Sequence, residues 1–274
     1  EEGVSRLFRF EITLVTTSQE VDLNSLLTSS VTFATRATTG SVYTPYHGIL
    51  CEVEQLGQVD QYMFYRVVLV PAVWKLSLTK MNEVYLDEQS IPDLISKILR
   101  DNGLTNTDFK VLLKSASSYR KRSFVCQYQE SLLNFICRLM EKEGLYFYFE
   151  QGTDDVKLTI VDYKEAHIAD TMAISYTPRE NIQTAQLDQA ITVFSQQLRQ
   201  VPAKVVVQDF DYRQASLADG LKAQETVKNG QSGQVMFYGD NLRTESEASR
   251  LATVRAQQIE CQYETFNGEA PAVG

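Results

Sequence analysis

At 274 residues, 43% hydrophobic and 22% charged, the chain has the make-up of an ordinary globular protein with room for one large or two ordinary domains. A net charge of −9 argues against nucleic acid or an anionic membrane as a main partner, because phosphate binding needs clustered Lys and Arg. No run of about 18 apolar residues predicts a spanning helix, so no stable membrane insertion is expected. The chain opens at Glu1 without a basic-then-apolar leader, so no signal peptide is expected; it reads as a fragment trimmed at both ends.

Leu7, Phe8, Phe10, Ile12 and Leu14 predict a first strand. Asp22 to Leu27 reads as a short helical turn capped by Asp22. Strands follow at Val31–Arg36, Tyr46–Gln55 and Gln61–Val70, with Gly57–Asp60 as the hairpin turn between the last two. Strands directly succeeding strands across short turns point to an antiparallel barrel rather than a parallel sheet. After a short strand at Val84–Leu86, Ser90-Ile-Pro92-Asp93 opens a helix. Its stripe is Ile91, Leu94, Ile95, Ile98 and Leu99, and Gly103 stops it. Residues 103–122 read as a connector with one strand, Phe109–Leu113, and the short basic cluster Tyr119-Arg120-Lys121-Arg122 as a solvated loop.

The densest signal lies between Ser123 and Glu150. A strand candidate ends at Tyr128. Leu132, Phe135, Ile136, Leu139 and Met140 then recur at helical spacing, capped by Ser131, with Glu130 beside the positive end of the helix dipole. Asn134, Arg138, Glu141 and Lys142 fall mostly on the opposite face. Gly144 closes the helix, and Leu145–Phe149 reads as a strand pairing back with Val156–Val161 across Gly152–Asp155. Further on, residues 166–189 read as a polar surface excursion, Ile191–Leu198 and Ala203–Tyr212 as strands, and Gln214–Gln234 as a loop. Thr244-Glu-Ser-Glu247 opens a last helix with Ala248, Leu251, Ala252, Arg255 and Ile259 along one side.

Cys126-Gln-Tyr-Gln-Glu130-Ser, Phe135-Ile-Cys-Arg138-Leu139 and Glu141-Lys-Glu143-Gly144-Leu-Tyr-Phe resemble the signature of the VgrG proteins. These are the spike proteins of type VI secretion, related to the central hub of contractile phage tails. Tyr46-His47-Gly48-Ile49, the segment Leu69–Leu76 and the Ser90 helix resemble the same family, as Val205–Tyr212 resembles the start of its second barrel. One departure is Gln129, where the family's pattern implies Arg. The resemblance implies a mainly β fold of two antiparallel barrel-like domains of tail-hub type with intervening helices. Residues 1–80 would form the first barrel and 81–165 an α+β connecting region holding the strand–helix–strand unit. Residues 166–274 would form an incomplete second barrel ending in a helix. It further implies a homotrimer that caps a tube of hexameric rings, meets baseplate components and carries secreted effectors. Such a protein is made in the bacterial cytoplasm and leaves through the type VI system, and this region of it carries no catalysis. A contractile phage tail hub would share the same fold and the same mechanics.

The residues themselves offer little chemistry. Cys51, Cys126, Cys137 and Cys261 contain no CxxC pair, so free buried thiols are expected; with only His47 and His167 available, no metal site is predicted. His47 and Cys51 would share a strand face but stand roughly 13 Å apart along it, too far for nucleophilic catalysis. The paired acids divide among a turn (Asp154-Asp155), a solvated helix face (Glu141 and Glu143) and one strand face (Asp209 and Asp211). None forms the opposed pair that glycoside cleavage needs. No nucleotide, zinc-protease, hydrolase or EF-hand motif is present, and no catalytic, cofactor-binding or metal residue is assigned. The 14 Tyr and 13 Phe keep open a function of a different class, a glycan-binding or glycan-cleaving domain that stacks sugars on aromatic rings. Most of these aromatics sit at strand positions, however, which suit a core or an oligomer interface.

Overall fold

The computed structural model describes residues 1–17, 21–27, 29–34, 45–167, 175–177, 190–212 and 221–269. The chain is mainly β and divides into two compact units, Glu1–His167 and Ile168–Val273.

The first unit begins with four strands: β1 (Phe10–Thr16), β2 (Ser30–Phe33), β3 (Tyr46–Val59) and β4 (Tyr62–Val70). They form one antiparallel sheet in the order β1-β4-β3-β2. Among the described residues β1 and β2 do not pair, so the sheet is open there. The helical turn α1 (Leu23–Leu26) is capped as expected, with Asp22 Oδ1 accepting from the Asn24 amide at 3.0 Å. Period-two alternation sorts the two faces. Phe10, Ile12, Val53, Val67 and Leu69 pack on the fully buried Phe8. On the other face Arg66 Nε meets Glu54 Oε2 at 2.7 Å and its Nη1 meets Glu11 Oε1 at 3.1 Å. The expected β2 runs on to Arg36, which lies outside the described residues.

The turn expected at Gly57–Asp60 sits elsewhere. β3 continues through Gly57, whose φ of +146° is accommodated as an irregularity in the ladder between Gln55 and Gly57. A glycine inside a strand run marks such a bulge as readily as a turn. The chain reverses across Asp60-Gln61, with Asp60 left-handed at φ +52° and Val59 opposite Tyr62.

The same unit continues with β5 (Lys80–Tyr85), α2 (Ile91–Asp101), β6 (Phe109–Leu112), β7 (Val125–Ser131), α3 (Leu132–Glu143), β8 (Tyr146–Gln151) and β9 (Val156–Val161). β5 pairs with β7 antiparallel; β9 lies between β8, antiparallel to it, and β6, parallel to it. The predicted stripes of both helices are buried in one core, joined by Val73 and Leu76 from a 3₁₀ turn at Ala72–Ser77. Fully burying each such side chain contributes about 1.5–3 kcal/mol. Leu104 N–H reaches the Leu99 carbonyl at 3.0 Å and closes α2. Residues 81–165 thus share a core with residues from the first 80. Phe149 also stacks edge-on against Phe8 at 5.1 Å, so no separation falls at residue 80.

In the second unit, β10 (Ser175–Tyr176) pairs parallel with β11 (Ala190–Ile191); the rest of the expected excursion at 166–189 lies almost wholly outside the described residues. β12 (Val193–Leu198) and β13 (Pro202–Asp209) follow. The segment expected to be a loop, Gln214–Gln234, contains β14 (Leu221–Thr226) and the start of β15 (Ser232–Tyr238). Leu221, Ala223 and Glu225 alternate inward against exposed Lys222, Gln224 and Thr226, a half-buried strand pattern diluted by polar residues. β13 lies between β14, antiparallel, and β15, parallel. Among the described residues three strand pairings are parallel and the others antiparallel, within the mainly antiparallel arrangement expected.

α4 (Glu245–Glu260) is capped by Thr244, whose hydroxyl accepts from the Glu247 amide at 3.2 Å, while Glu247 Oε2 accepts from the Arg243 amide at 3.1 Å. Its Ala248, Leu251, Ala252 and Ala256 pack on Val205, Val207 and Leu221. The unit does not end in that helix. A further strand, β16 (Glu264–Glu269), pairs antiparallel with β12, and Phe194 stacks on Phe266 at 5.7 Å.

Candidate functional site

The signature stretch forms β7, α3 and β8 as one continuous piece. Ser131 Oγ accepts from the Asn134 amide at 3.1 Å, and Gly144 adopts the left-handed conformation (φ +76°, ψ +21°) that lets Leu145 N–H reach the Met140 carbonyl at 2.8 Å. On β7, Val125 and Gln127 point to the core, and Tyr85 from β5 stacks on Phe135 at 5.5 Å. Gln127 is wholly buried, and its amide nitrogen donates to the Glu130 carbonyl at 3.0 Å, which satisfies a polar group that burial alone would penalise.

Charge is concentrated in two pairs. Arg138 forks onto Glu130, with Nε 3.2 Å from both carboxylate oxygens and Nη2 2.6 Å from Oε1, and Nη2 also donates to the Cys126 carbonyl at 3.1 Å. Its guanidinium lies 5.4 Å from the Phe135 ring centroid. Glu130 thus ties the helix back to β7, a role beyond the dipole contact expected of it. The second pair is Arg122 with Glu143, Nη2 to Oε1 at 3.0 Å. Both side chains are shielded from water, with only 9% and 4% of their area exposed. This corrects two expectations: Arg122 is not part of a solvated loop, and Glu143 is not on a solvated face. Arg122 also bridges to Gln89 through its backbone amide at 2.8 Å. A buried pair of this kind leaves no periodic trace, since charged residues at a helix end and in a basic cluster both read as surface. Gln129 is left-handed at φ +51°, with its amide donating to Asn82 Oδ1 at 2.6 Å and its side chain exposed.

The remaining candidates take structural roles. His47 is buried; its Nδ1 is 2.9 Å from Thr32 Oγ1 and its Nε2 3.2 Å from the Gly152 carbonyl, so it links β2, β3 and the β8–β9 turn. His167 stacks on Tyr148 at 4.6 Å and Tyr146 at 5.5 Å. Asp155 lies in the turn where its carbonyl accepts from the Gly152 amide at 2.8 Å. Asp209 is buried and caps two amides, Phe210 and Leu242, each at 2.8 Å; Asp211 lies beyond the end of β13, so the two acids do not share a strand face. The four cysteines are free, but Cys261 is exposed and the other three are half-buried rather than fully buried. Burial pushes the Cys137 thiol up to about 11. Among the described residues no three His, Cys, Asp or Glu side chains lie close enough together to hold a metal ion, and no helix is long and apolar enough to cross a membrane.

Across β6, β9 and β8, Lys110 Nζ meets Glu150 Oε2 at 2.7 Å while Thr159 donates to Glu150 Oε1 at 2.9 Å. Burial raises the Glu150 carboxyl, but the bonds from Lys110 and Thr159 outweigh it and hold the group below its usual range. The geometry across these pairs is that of a braced scaffold.

Comparison with known proteins gives the same picture. A family model described as phage tail baseplate hub (GPD) matches residues 1–274. Over 166 residues, 61% of this chain, the sequence is 32% identical to the type VI secretion system spike protein VgrG1c of Pseudomonas aeruginosa, and it spans 22% of that relative's length. Among solved structures, a type VI secretion component of E. coli, described as similar to the T4 phage tail proteins gp27 and gp5, aligns with a TM-score of 0.61 at 23% identity. That alignment covers 72% of this chain and 51% of that one. A tail protein of Neisseria meningitidis aligns with a TM-score of 0.58 at 10% identity, covering 95% of this chain and 71% of its own.

Proposed function

Since the chain belongs to the phage tail baseplate hub (GPD) family, we propose that it is the hub region of a type VI secretion spike. In this reading three copies form a base that caps a tube of hexameric rings, meets baseplate components and carries effectors into a target cell. The protein is made in the bacterial cytoplasm and leaves with the tube. Its work is mechanical, and no catalytic step is assigned to it.

The observation that carries this reading is the 32% identity to a type VI spike protein over 166 residues. The likeness to phage tail proteins, at 10% identity, speaks for the fold alone. The architecture supports the role: force passing through a hub is borne by backbone ladders and packed cores, and here paired charges tie one strand to its helix and brace three strands of a sheet. The test is deletion of the complete gene, followed by measurement of tube protein released into the medium. Release should be lost and should return on complementation; undiminished release rejects the proposal.

The second reading, a contractile phage tail hub, is favoured by the match of residues 1–274 to the family model described as phage tail baseplate hub. In that case the deletion would leave secretion intact and abolish assembled tail particles.

A further inference from the structure

The sequence holds three Asn-Gly steps, Asn102-Gly103, Asn229-Gly230 and Asn267-Gly268. In such a step no side chain shields the glycine nitrogen, which can attack the amide carbon of the asparagine before it. All three asparagines are exposed, so access to water does not separate them. Their surroundings do.

Asn102 closes α2. Its side-chain nitrogen donates to the Ile98 carbonyl at 2.9 Å and the Gly103 amide donates to the Arg100 carbonyl at 3.0 Å, so both reacting groups are held. At Asn229 the Gly230 amide donates to the Val227 carbonyl at 3.1 Å. Gly230 is also wedged in place: a Cβ there would overlap the Pro202 carbonyl oxygen and lie 2.7 Å from Ala203 Cα. The backbone at that step has no room to swing.

Asn267 stands differently. Arg199 N–H donates to the Tyr263 carbonyl at 2.8 Å, in continuation of the β12–β16 register, which makes that opposed couple a hydrogen-bonded one. Hydrogen-bonded and open couples alternate along an antiparallel ladder, so Gly268 faces Phe194 in an open couple and its N–H points away from β12. A Cβ on Gly268 would meet nothing closer than 3.6 Å, so the backbone there has room. Every residue of β12 and β16 is exposed. A two-stranded ribbon with no buried face is marginal on its own and opens locally at low cost.

We propose that Asn267 is a deamidation site. The Gly268 nitrogen forms a bond to Asn267 Cγ, the Cγ–Nδ2 bond breaks, and ammonia departs with the glycine's proton. Water then opens the cyclic imide at either carbonyl and leaves aspartate or isoaspartate; nothing is oxidised or reduced. Either product adds negative charge to a strand that already carries Glu264 and Glu269. Isoaspartate also adds a backbone carbon opposite Ser195, which breaks the ladder there. Water does not restore the amide, so the ribbon records the age of the molecule.

The experiment incubates the purified full-length protein in mildly alkaline buffer and follows the three Asn-Gly peptides by mass spectrometry. Asn267 should convert about tenfold faster than Asn102 or Asn229 in the folded protein, and the three rates should converge in concentrated urea. Gly268→Ala, whose Cβ fits without a clash, should slow conversion at Asn267 severalfold. Equal rates in the folded protein, faster conversion at Asn102 or Asn229, a ranking that persists in urea, or undiminished conversion in Gly268→Ala overturns the proposal.

Discussion

Arg122 Nη2 stands 3.0 Å from Glu143 Oε1 in a pocket that leaves less than a tenth of either side chain exposed. The two residues bracket β7 and α3, one just before the strand and the other on the last turn of the helix. Removing one partner would strand the other charge out of water. Arg122→Ala should therefore destabilise the first unit by about 3–5 kcal/mol, whereas replacing both residues together with apolar ones of similar volume should restore most of that loss. Urea midpoints of the two variants, compared with the parent, check the prediction; equal losses in both would contradict it.

The ends of α3 make a second case. Ser131→Ala removes the hydroxyl that accepts from Asn134 and should cost about 1 kcal/mol. Gly144→Ala places a Cβ on a left-handed residue and should cost about 1–2 kcal/mol. The sites lie at opposite ends of the helix, so the double variant should show the sum within about 0.5 kcal/mol. Denaturant titration of the three variants reads all three numbers.

His47-Gly48 combines two tight constraints. A Cβ on Gly48 would fall against the Val70 carbonyl oxygen of β4 and 3.0 Å from Leu69 Cδ1, backbone and core atoms that cannot swing away. Gly48→Ala should lower stability by about 1–3 kcal/mol, the range for overpacking a dense interior. Thermal unfolding followed by circular dichroism would show the lowered midpoint, and an unchanged midpoint would mean that β3 and β4 can part without cost.

Thiol chemistry separates the cysteines. Burial pushes Cys137 up to about 11 from an ordinary 9, so at pH 8 it stays a protonated thiol, while exposed Cys261 is open to reagent. Maleimide at pH 8 should label Cys261 first and Cys137 last, with mass spectrometry reading the order. The same shift has a stability consequence. Between pH 9 and pH 11 the unfolded chain has released the Cys137 proton and the folded chain still holds it. The folded state therefore binds more protons there, and its stability falls as pH rises through that window. Cys137→Ala should flatten that alkaline limb.

Much of the fold is legible in the residues alone. The stripes of α2 and α3, their Ser caps and the Gly144 stop follow from local rules that the tertiary structure does not overturn, and all ten predicted stripe residues are buried. β14 is hidden because its inward positions include Ala223 and Glu225, which carry too little apolar signal to reveal a period of two. The turn between β3 and β4 is misplaced because Gly57 reads alike as turn and bulge, and only pairing with β4 tells them apart. The buried Arg122–Glu143 pair and the buried Gln127 escape for a different reason. Their burial is decided by which elements come to lie over them, and side-chain type alone says surface. Phe124 and Tyr128 are half legible, since aromatic residues at strand positions suit a core or an interface alike, and only the fold shows that these two are not core.

The pairing of β12 with β16 joins segments far apart along the second unit, and the Gln196 side-chain amide donates to the Glu264 carboxylate across it. During synthesis β12 emerges from the ribosome roughly 70 residues before its partner, several seconds at about 5–20 residues per second. Throughout that interval Phe194 has no ring to stack on and both edges of β12 are open. Chaperone capture of nascent chains should peak while that strand waits and fall once β16 has cleared the exit tunnel.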